Sequence, residues 1–369
     1  MDKIFQSPAK YIQGKGVIAR LAEYSVEFGH RCLVITSSGG LERFKTVLDE
    51  NEKTAADSVF IREAFGGECC MAEIYRLKEL AEDEACDVII GLGGGKVLDT
   101  SKAVAYYADL PVIIAPTNAA SDAPCSAVSV VYREDGSLDV LLKLKKNPDL
   151  VLVDSEIIAK APVRLLSAGI GDALATYFEM KACVETDSPN FVGAQVSLAA
   201  QAIAERCYET LMADGRKAYS AVERGVCTRA VENVIEANIL LSGIGFESGG
   251  VCGAHPINVG ISAVPAVRDN MHGEYVAFGL LVQMILNNDD EELIDATLEF
   301  LHDVDLPVCL ADLGIFDITE EQLELAAGIA NDDPSLHYLP KKAGVPEIKA
   351  AILAADALGR SYREAWEKE

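Results

Sequence analysis

The sequence has few basic residues and no apolar run long enough to cross a bilayer. Lysine and arginine number 32 against 58 aspartates and glutamates, which gives a formal net charge of −26 at pH 7. A nucleic-acid-binding surface needs a basic stripe, so this balance argues against nucleic acid as a partner. A membrane span needs about 18 consecutive apolar residues, which are absent. The amino-terminal residues also lack the basic region and apolar core of a secretory signal, so we expect a cytoplasmic protein.

The cysteines lack the spacing of a disulfide framework or of a structural metal site. No C-x-x-C pair occurs, and the ten cysteines are scattered through apolar segments at 32, 69, 70, 86, 125, 183, 207, 227, 252 and 309. In a chain of 369 residues this pattern is typical of buried thiols in a reducing compartment. Packing is also the simpler interpretation of the adjacent pair Cys69 and Cys70.

The first half of the chain alternates strand-like and helix-like segments. Short apolar runs predict strands at 31–36, 58–64, 86–92, 111–116 and 150–154, and helical spacing occupies 40–50, 71–83 and 95–108. Such alternation predicts a Rossmann-like α/β domain over residues 1–161, with a parallel sheet covered on both sides. Two further segments, "AVSVVYR" and "SLDVLLKL", are joined through "EDG" and predict a hairpin appended to that sheet.

After Pro162 the apolar residues follow the helical period of 3.6. The segments with this spacing are 171–185, 190–213, 230–246, 273–288 and 346–366. We therefore predict a second, all-helical domain over residues 162–369. Ligands of open parallel sheets bind beyond the carboxyl ends of the strands, and here we expect those ends to face a cleft between the two domains.

The stretch "GLGGGKVLDTSK", residues 91–102, follows a predicted strand and opens a predicted helix. It matches neither the P-loop spacing nor G-x-G-x-x-G. Three consecutive glycines, Gly93, Gly94 and Gly95, nevertheless let backbone N–H groups approach an anion at a helix N-terminus, and Lys96 adds a full positive charge. We favour a phosphate site over a tight turn that binds nothing, since one glycine would suffice for the turn.

The next predicted strand leads into "APTNAASDAPCSAVSVVY", a polar loop with Thr117, Asp122 and Ser126. Taken alone, this loop is best explained as a turn that is fixed by its prolines, with Asp122 capping backbone N–H groups.

Three residues of the second half offer a ligand set for a metal. Asp172 stands at an expected helix start, His255 lies in "GAHPIN", and His272 lies in "NMHGEY". Each alone is better explained by a helix cap or a hydrogen-bonded histidine. Together they supply one oxygen and two imidazoles and leave a fourth position free, which suits a catalytic Zn²⁺ or Fe²⁺ site.

Several of these segments together resemble a known family. The motifs that carry the resemblance are "GLGGGKVLDTSKA", "APTNAASDAPCSAVSVVY", "RLLSAGIGDALATYFE", "GFESGG" followed by "AH", and "HGEYVAFG". In order and approximate spacing they are similar to the glycerol dehydrogenases, which belong to the metal-dependent, iron-type (group III) polyol dehydrogenases. The resemblance covers nearly the whole chain.

The resemblance implies roles for individual residues. Asp172, His255 and His272 would hold Zn²⁺, with Fe²⁺ as the alternative, and Asp122 would contact a substrate hydroxyl. The dinucleotide site would be lined by Ser37, Gly93, Gly94, Gly95, Lys96, Asp99, Thr117, Ala120, Ser126, Val128 and Tyr132. Family members form homo-oligomers, often octamers, so we expect a homo-oligomer. The implied reaction transfers a hydride between NAD and a small polyol or hydroxyketone, with glycerol and dihydroxyacetone or a related diol as substrates.

The sequence departs from the family at three places. Ser37 stands where an aspartate often binds the adenosine ribose, so the preference for NAD over NADP is expected to be relaxed. Ala120 replaces a common serine near the cofactor. After His255, "PINVG" replaces a stretch that often holds a second histidine, which changes the outer wall of the substrate pocket.

Two other functions share this fold. A lyase resembling dehydroquinate synthase would need basic residues for a substrate phosphate, and only Arg268 lies near the histidines in the sequence. A non-catalytic dinucleotide sensor would have lost a metal ligand, and all three candidates are present.

Overall fold

The computed structural model describes residues 2–54, 58–133 and 136–366. The chain forms two compact units. The sheet unit consists of Gln6–Pro162 and Ala221–Gly243, and the helical unit consists of Met1–Phe5, Val163–Ser220 and Ile244–Glu369. One stretch from the second half of the sequence, Ala221–Gly243, therefore belongs with the sheet. Among the described residues, no helix is long and apolar enough to cross a membrane.

The strands lie in the first half of the chain, as the alternation predicts. They are β1 Tyr11–Gly14, β2 Arg31–Thr36, β3 Val59–Ala64, β4 Val88–Gly93, β5 Val112–Pro116, β6 Val128–Tyr132, β7 Leu138–Lys143 and β8 Leu150–Asp154. The five strands that the apolar runs predict are confirmed as β2, β3, β4, β5 and β8. The pattern missed β1, because "YIQG" is short and carries no run of apolar residues.

Within the described chain, six strands form one parallel sheet in the order β1-β8-β5-β4-β2-β3. Every residue of β4, β5 and β8 is buried, as expected for central strands with helices on both faces. Leaving β1 aside, the order is the flavodoxin-like 2-1-3-4-5 rather than the classical Rossmann 3-2-1-4-5-6. The strand order reverses between β2 and β4, and such a reversal opens a ligand crevice at the carboxyl ends of those strands.

The hairpin prediction is correct, but no strand ladder joins the described residues of the hairpin to the main sheet. Strands β6 and β7 pair with each other in a separate antiparallel sheet, and Glu134 and Asp135 of the predicted connection lie outside the described residues. The hairpin is fixed by helix-borne groups instead. The backbone N–H of Val130 donates to Asp99 Oδ2 at 3.1 Å, and Ser129 Oγ donates to the Asp99 carbonyl at 2.9 Å.

The helices before Val163 are α1 Leu21–Ser25, α2 Ser38–Arg43, α3 Lys45–Thr54, α4 Met71–Asp83, α5 Gly95–Ala108 and α6 Ser155–Ala159. After it come α7 Val163–Glu185, α8 Leu198–Val222, α9 Arg229–Glu236, α10 Ser242–Gly249, α11 Ala254–Ser262, α12 His272–Asn287, α13 Glu291–Asp303, α14 Glu320–Asp332 and α15 Val345–Trp366. Short 3₁₀ turns occupy Val17–Arg20, Ala123–Cys125, Leu310–Leu313 and Pro334–Tyr338, and Ala237–Leu241 is π-helical.

The predicted helices α4 and α5 have the expected bounds, whereas others differ. The helix expected over 40–50 is two helices, α2 and α3. The helix expected from 190 begins only at Leu198. Helix α7 begins at Val163 and is buried on most of its surface, which makes it a central helix of its unit.

Candidate metal centre and cofactor groove

The three predicted metal ligands come together in the helical unit. Asp172 lies in the interior of α7 and is 1% exposed, while His255 lies in the first turn of α11 and His272 begins α12. The ligand atoms of the three residues all lie within 4.8 Å of one another. The placement of Asp172 at a helix start was wrong, because α7 begins nine residues earlier; a capping role is thereby excluded.

The distances at this cluster fit a metal. Asp172 Oδ1 lies 3.4 Å from His255 Nε2 and 3.3 Å from His272 Nε2. Neighbouring ligand atoms of a tetrahedral zinc ion lie roughly 3.3 Å apart when the bonds are ~2.0 to 2.1 Å long. One carboxylate and two imidazoles, all turned toward one point, thus match the donors of an open zinc or iron site.

Glycines beside two of the ligands allow this convergence. A Cβ at Gly171 would lie 2.4 Å from the carbonyl oxygen of Gly273, and a Cβ at Gly273 would lie 1.7 Å from the carbonyl oxygen of Ala168. Helices α7 and α12 therefore approach each other backbone to backbone. Asp172 directly follows Gly171, and His272 directly precedes Gly273. Both residues therefore lie where the two helices touch.

A second buried carboxylate, Glu179, supports His255. Glu179 Oε2 lies 2.6 Å from His255 Nδ1, and Glu179 Oε1 accepts hydrogen bonds from the backbone N–H groups of Cys252 and His255. Sequence reasoning missed this residue. The available signal was its spacing, because Glu179 stands seven residues after Asp172 and therefore on the same face of α7.

The surroundings of His272 include a polar group and a buried ion pair. The amide of Asn258, within the "PINVG" stretch, lies 3.3 Å from His272 Nδ1. Glu274, 1% exposed, binds both Arg164 and Arg268 at 2.7 Å. Arg268, the basic residue near the histidines in the sequence, is therefore held in an ion pair with Glu274.

The charges at the cluster shift the pKa values of its members. Burial alone would raise the pKa of Asp172, but the imidazoles of His272 and His255 hold it well below its ordinary value. Burial alone would lower the pKa of His255, but the carboxylates of Glu179 and Asp172 raise it well above its ordinary value. A metal that binds here therefore has to displace a proton from His255.

In the sheet unit, a groove of about 680 Å³ lies at the carboxyl ends of β2, β3 and β4. It is lined by Ser37, Ser38, Gly39, Phe65, Gly66, Gly67, Gly94, Gly95, Lys96 and Val97. This is the crevice expected where the strand order reverses. Four of the predicted cofactor residues, Ser37, Gly94, Gly95 and Lys96, thus share one groove.

The three consecutive glycines have different surroundings. A Cβ at Gly93 would meet Val97 at 2.8 Å, so Gly93 serves the turn from β4 into α5. A Cβ at Gly95 would have nothing within 4 Å, which leaves the first turn of α5 open toward the groove. Lys96 Nζ lies 2.6 Å from Glu68 Oε2 and 5.5 Å from the centre of the Tyr132 ring. The groove therefore offers backbone N–H groups and one lysine, and that lysine is paired with a carboxylate.

The other predicted cofactor residues lie outside the lining of this groove. Asp99 is buried in α5 and lies 3.0 Å from Lys102 Nζ. Thr117 donates its backbone N–H to the Gly93 carbonyl, and the backbone N–H of Ala120 donates to Asn118 Oδ1. Ser126, Val128 and Tyr132 lie in the loop and strand that follow.

The loop that carries Asp122 is held by the π-helical segment of the sheet unit and by the first residues of α10. Ser242 Oγ donates to Asp122 Oδ2 at 2.7 Å, and Asn238 Nδ2 donates to the Ala119 carbonyl at 3.0 Å. A Cβ at Gly243 would lie 2.9 Å from the Asp122 carbonyl oxygen. Segments of π-helix are frequent at functional sites, and sequence reasoning missed this one.

Comparisons with known proteins identify the family of this chain. Residues 8–155 match the family model for iron-containing alcohol dehydrogenases. The chain is 45% identical over 368 residues to a glycerol dehydrogenase of Escherichia coli strain CFT073, and the match covers 100% of both chains. The matched family region includes all the residues that line the groove of the sheet unit.

Solved structures give the same result. A probable glycerol dehydrogenase from Sinorhizobium meliloti 1021 is 42% identical, with a TM-score of 0.90 and coverage of 98% of this chain and 100% of that chain. Glycerol dehydrogenase from Schizosaccharomyces pombe is 36% identical, with a TM-score of 0.93 and coverage of 99% of this chain and 93% of that chain. The chain therefore belongs to the glycerol dehydrogenase family of iron-containing alcohol dehydrogenases.

Proposed function

We propose that this protein is a metal-dependent dehydrogenase that transfers a hydride between a nicotinamide cofactor and a small polyol or hydroxyketone. Glycerol and dihydroxyacetone are the first candidates for the substrate pair. The observation that carries the proposal is the convergence of Asp172, His255 and His272 on one point, with their ligand atoms within 4.8 Å of one another. Full-length similarity to glycerol dehydrogenases supports the choice of a polyol.

Asp172, His255 and His272 would hold the metal. When bound, a divalent ion at this donor set is a Lewis acid that lowers the pKa of a coordinated hydroxyl group. Two imidazoles and one carboxylate suit both zinc and iron, and we propose zinc. Burial of Asp172 and the hydrogen bond that His255 Nδ1 donates to Glu179 would keep these ligands in place.

The cofactor would occupy the groove at the carboxyl ends of β2 and β4. The open first turn of α5 and Lys96 suit a pyrophosphate, and Ser37 places no carboxylate beside the adenosine ribose. We therefore propose NAD as the cofactor, with NADP accepted as well. The proposal assigns dinucleotide binding and the substrate contact of Asp122 to residues 1–161, and metal binding, with the rest of the substrate site, to residues 162–369.

Asp122 would accept a hydrogen bond from a substrate hydroxyl other than the one that is oxidised. The residue is 9% exposed. Its carboxylate accepts a hydrogen bond from the hydroxyl of Ser242 at 2.7 Å, which holds it in place. A polyol has a second hydroxyl to donate and a monoalcohol does not. Asp122 would therefore favour polyols over monoalcohols.

The test combines metal analysis with steady-state kinetics. The purified protein is expected to hold about one metal ion per chain and to reduce NAD⁺ and NADP⁺ with glycerol or 1,2-propanediol faster than with simple monoalcohols. Chelation should abolish the activity, and zinc should restore it. Full activity of the chelated protein, or release of inorganic phosphate from a phosphorylated substrate, would contradict the proposal. The assembly state, for which we propose a homo-oligomer, is measured on the same sample by light scattering.

A further inference from the structure

Glu179 and Asp172 project from the same face of α7, because seven residues make nearly two full turns. Glu179 is 0% exposed. Burying an ionised carboxylate is costly unless hydrogen bonds replace the lost water. The partners of Glu179 therefore indicate what the carboxylate does.

Glu179 accepts three hydrogen bonds, and two of them come from His255. Oε1 accepts the backbone N–H groups of Cys252 at 3.1 Å and of His255 at 3.0 Å, while Oε2 lies 2.6 Å from His255 Nδ1. An ionised carboxylate can only accept, so Nδ1 must carry the proton. In the neutral ring the lone pair is then on Nε2, the atom that faces Asp172 Oδ1 at 3.4 Å.

The same carboxylate also fixes the backbone at the beginning of α11. The N-cap residue Gly253 provides no side-chain hydrogen bond, so the first N–H groups of α11 need acceptors from elsewhere. Glu179 supplies one for His255, and Gln283 Oε1 supplies one for Ala254 at 2.9 Å. Gln283 thus caps the same helix end through Ala254, whereas Glu179 also contacts the imidazole ring of His255.

We propose that Glu179 is a positioning residue that fixes both the tautomer and the direction of His255, so that Nε2 is presented to the metal. The inference rests on the proposed function, because it takes Asp172, His255 and His272 as the ligands. It adds that the metal affinity of the site depends on a residue that does not itself bind the metal.

Glu179→Gln is the direct test. A glutamine has a single carbonyl oxygen in place of two carboxylate oxygens, and three donors face this position. If the NH₂ group of the glutamine faces Nδ1, the His255 ring takes the tautomer with a proton on Nε2, the atom that should bind the metal. If the glutamine oxygen faces Nδ1 instead, the backbone N–H groups of Cys252 and His255 lose their acceptor. We expect the dissociation constant for Zn²⁺ and for Co²⁺, measured by chelator competition, to rise by about 10- to 100-fold.

Gln283→Met is the matched control. It removes the other acceptor at the same helix end from an equally buried position, 1% exposed, and leaves the pair of Glu179 and His255 intact. We expect this variant to lose thermal stability but to keep its Co²⁺ affinity within about threefold and its visible Co²⁺ spectrum unchanged, since its metal ligands are unaltered. Glu179→Gln should change both the affinity and the spectrum.

A measurement on the unmodified protein keeps the inference testable if Glu179→Gln does not fold. The chain has five histidines, so ring ¹⁵N shifts of the zinc-loaded protein can be assigned by comparison with single variants. We expect His255 to be protonated on Nδ1. A ring protonated on Nε2, or a Glu179→Gln variant with unchanged Co²⁺ affinity and spectrum, would overturn the inference while leaving the proposed function intact. A wild-type protein that binds no metal would instead overturn the proposed function.

Discussion

Gly273 packs against the carbonyl oxygen of Ala168 so closely that a Cβ on residue 273 would lie 1.7 Å from it. No side chain fits at that distance, so the glycine determines how near α12 comes to α7. His272 and Asp172 belong to the same two helices, and their ligand atoms lie 3.3 Å apart. The close packing of two backbones thus brings these two candidate metal ligands together.

Gly273→Ala should separate the two helices and weaken the metal site. Overpacking costs about 1 to 3 kcal/mol, and the obstructing atom here belongs to the backbone, so we expect the upper end of that range. Zinc affinity should fall together with the free energy of unfolding, measured by chelator competition and by urea titration of the metal-free protein.

Gly328→Ala is the control for that variant. Residue 328 lies in α14, and a Cβ there would have nothing within 4 Å. Alanine is up to about 1 kcal/mol better than glycine inside a helix, so this variant should be slightly stabilised, with unchanged zinc affinity. Equal effects of the two substitutions would disprove the role assigned to the helix contact.

Ser37→Asp should restrict the cofactor to NAD. Ser37 caps α2, its Oγ accepting the N–H of Gly40 at 3.0 Å, and aspartate is an equally good N-cap. The substitution therefore adds a charge without disturbing the fold, and the added carboxylate would repel the 2′-phosphate of NADP. We expect kcat/KM for NADP to fall at least tenfold relative to that for NAD.

Ser37→Asn is the neutral control for that experiment, since asparagine caps the helix without the charge. It should leave the ratio of the two kcat/KM values near that of the wild type. A wild-type preference for NAD above about a thousandfold, equivalent to roughly 4 kcal/mol, would show that Ser37 does not relax cofactor choice.

Lys96 and Glu68 should change cofactor affinity in opposite directions. Their charged atoms lie 2.6 Å apart at the edge of the groove, and the two side chains are 55% and 29% exposed. Lys96→Met removes a charge that would attract the pyrophosphate, whereas Glu68→Gln removes a carboxylate that would repel it. Because solvent screens such exposed charges, we expect changes of about three- to tenfold in the NADH dissociation constant, measured by fluorescence titration. Shifts of the same sign in both variants would exclude this groove as the phosphate site.

The affinity for metal should rise with pH across the neutral range. Glu179 and Asp172 raise the pKa of His255, so the metal-free protein holds a proton that the metal must displace. Below that raised pKa, each pH unit should tighten zinc binding by about tenfold, and above it the affinity should level off. Asp172, whose pKa is lowered, is ionised throughout this range.

The same proton stabilises the metal-free fold. A raised pKa contributes stability that is complete below the unfolded value of about 6.5 and is lost as the pH rises through the folded value. We expect the metal-free protein to lose stability from about pH 6.5 upward, and the zinc-loaded protein to lose less. Zinc affinity that is independent of pH between 6 and 8 would contradict the assigned protonation of His255.

Much of the fold could be predicted from local patterns. The strands β2, β4, β5 and β8 are continuous apolar runs, and the helices α4 and α5 have clear helical spacing, so their bounds follow from the sequence. Elements whose position depends on contacts with distant parts of the chain were missed or misplaced. The short strand β1 exists because it pairs with β8, and the hairpin of β6 and β7 is fixed by Asp99 rather than by the main sheet.

The candidate metal ligands could be assembled from residue types alone, and the family motifs then supported that choice. Asp172, His255 and His272 have no short spacing that would link them, and long-range packing of glycines brings them together. Glu179 was missed because a carboxylate inside a helix has no distinctive sequence signal. The face of α7 that it shares with Asp172 becomes informative only once His255 is known to lie against Glu179.

The central claim is that Asp172 holds a divalent ion on which oxidation of the alcohol depends. The most direct test measures zinc content and glycerol-dependent reduction of NAD⁺ on the same samples of wild-type protein and Asp172→Ala, with folding checked by circular dichroism. We predict about one zinc per chain with activity in the wild type, and a folded variant that lacks both. A folded Asp172→Ala variant that oxidises glycerol at the wild-type rate, with or without zinc, would contradict the account.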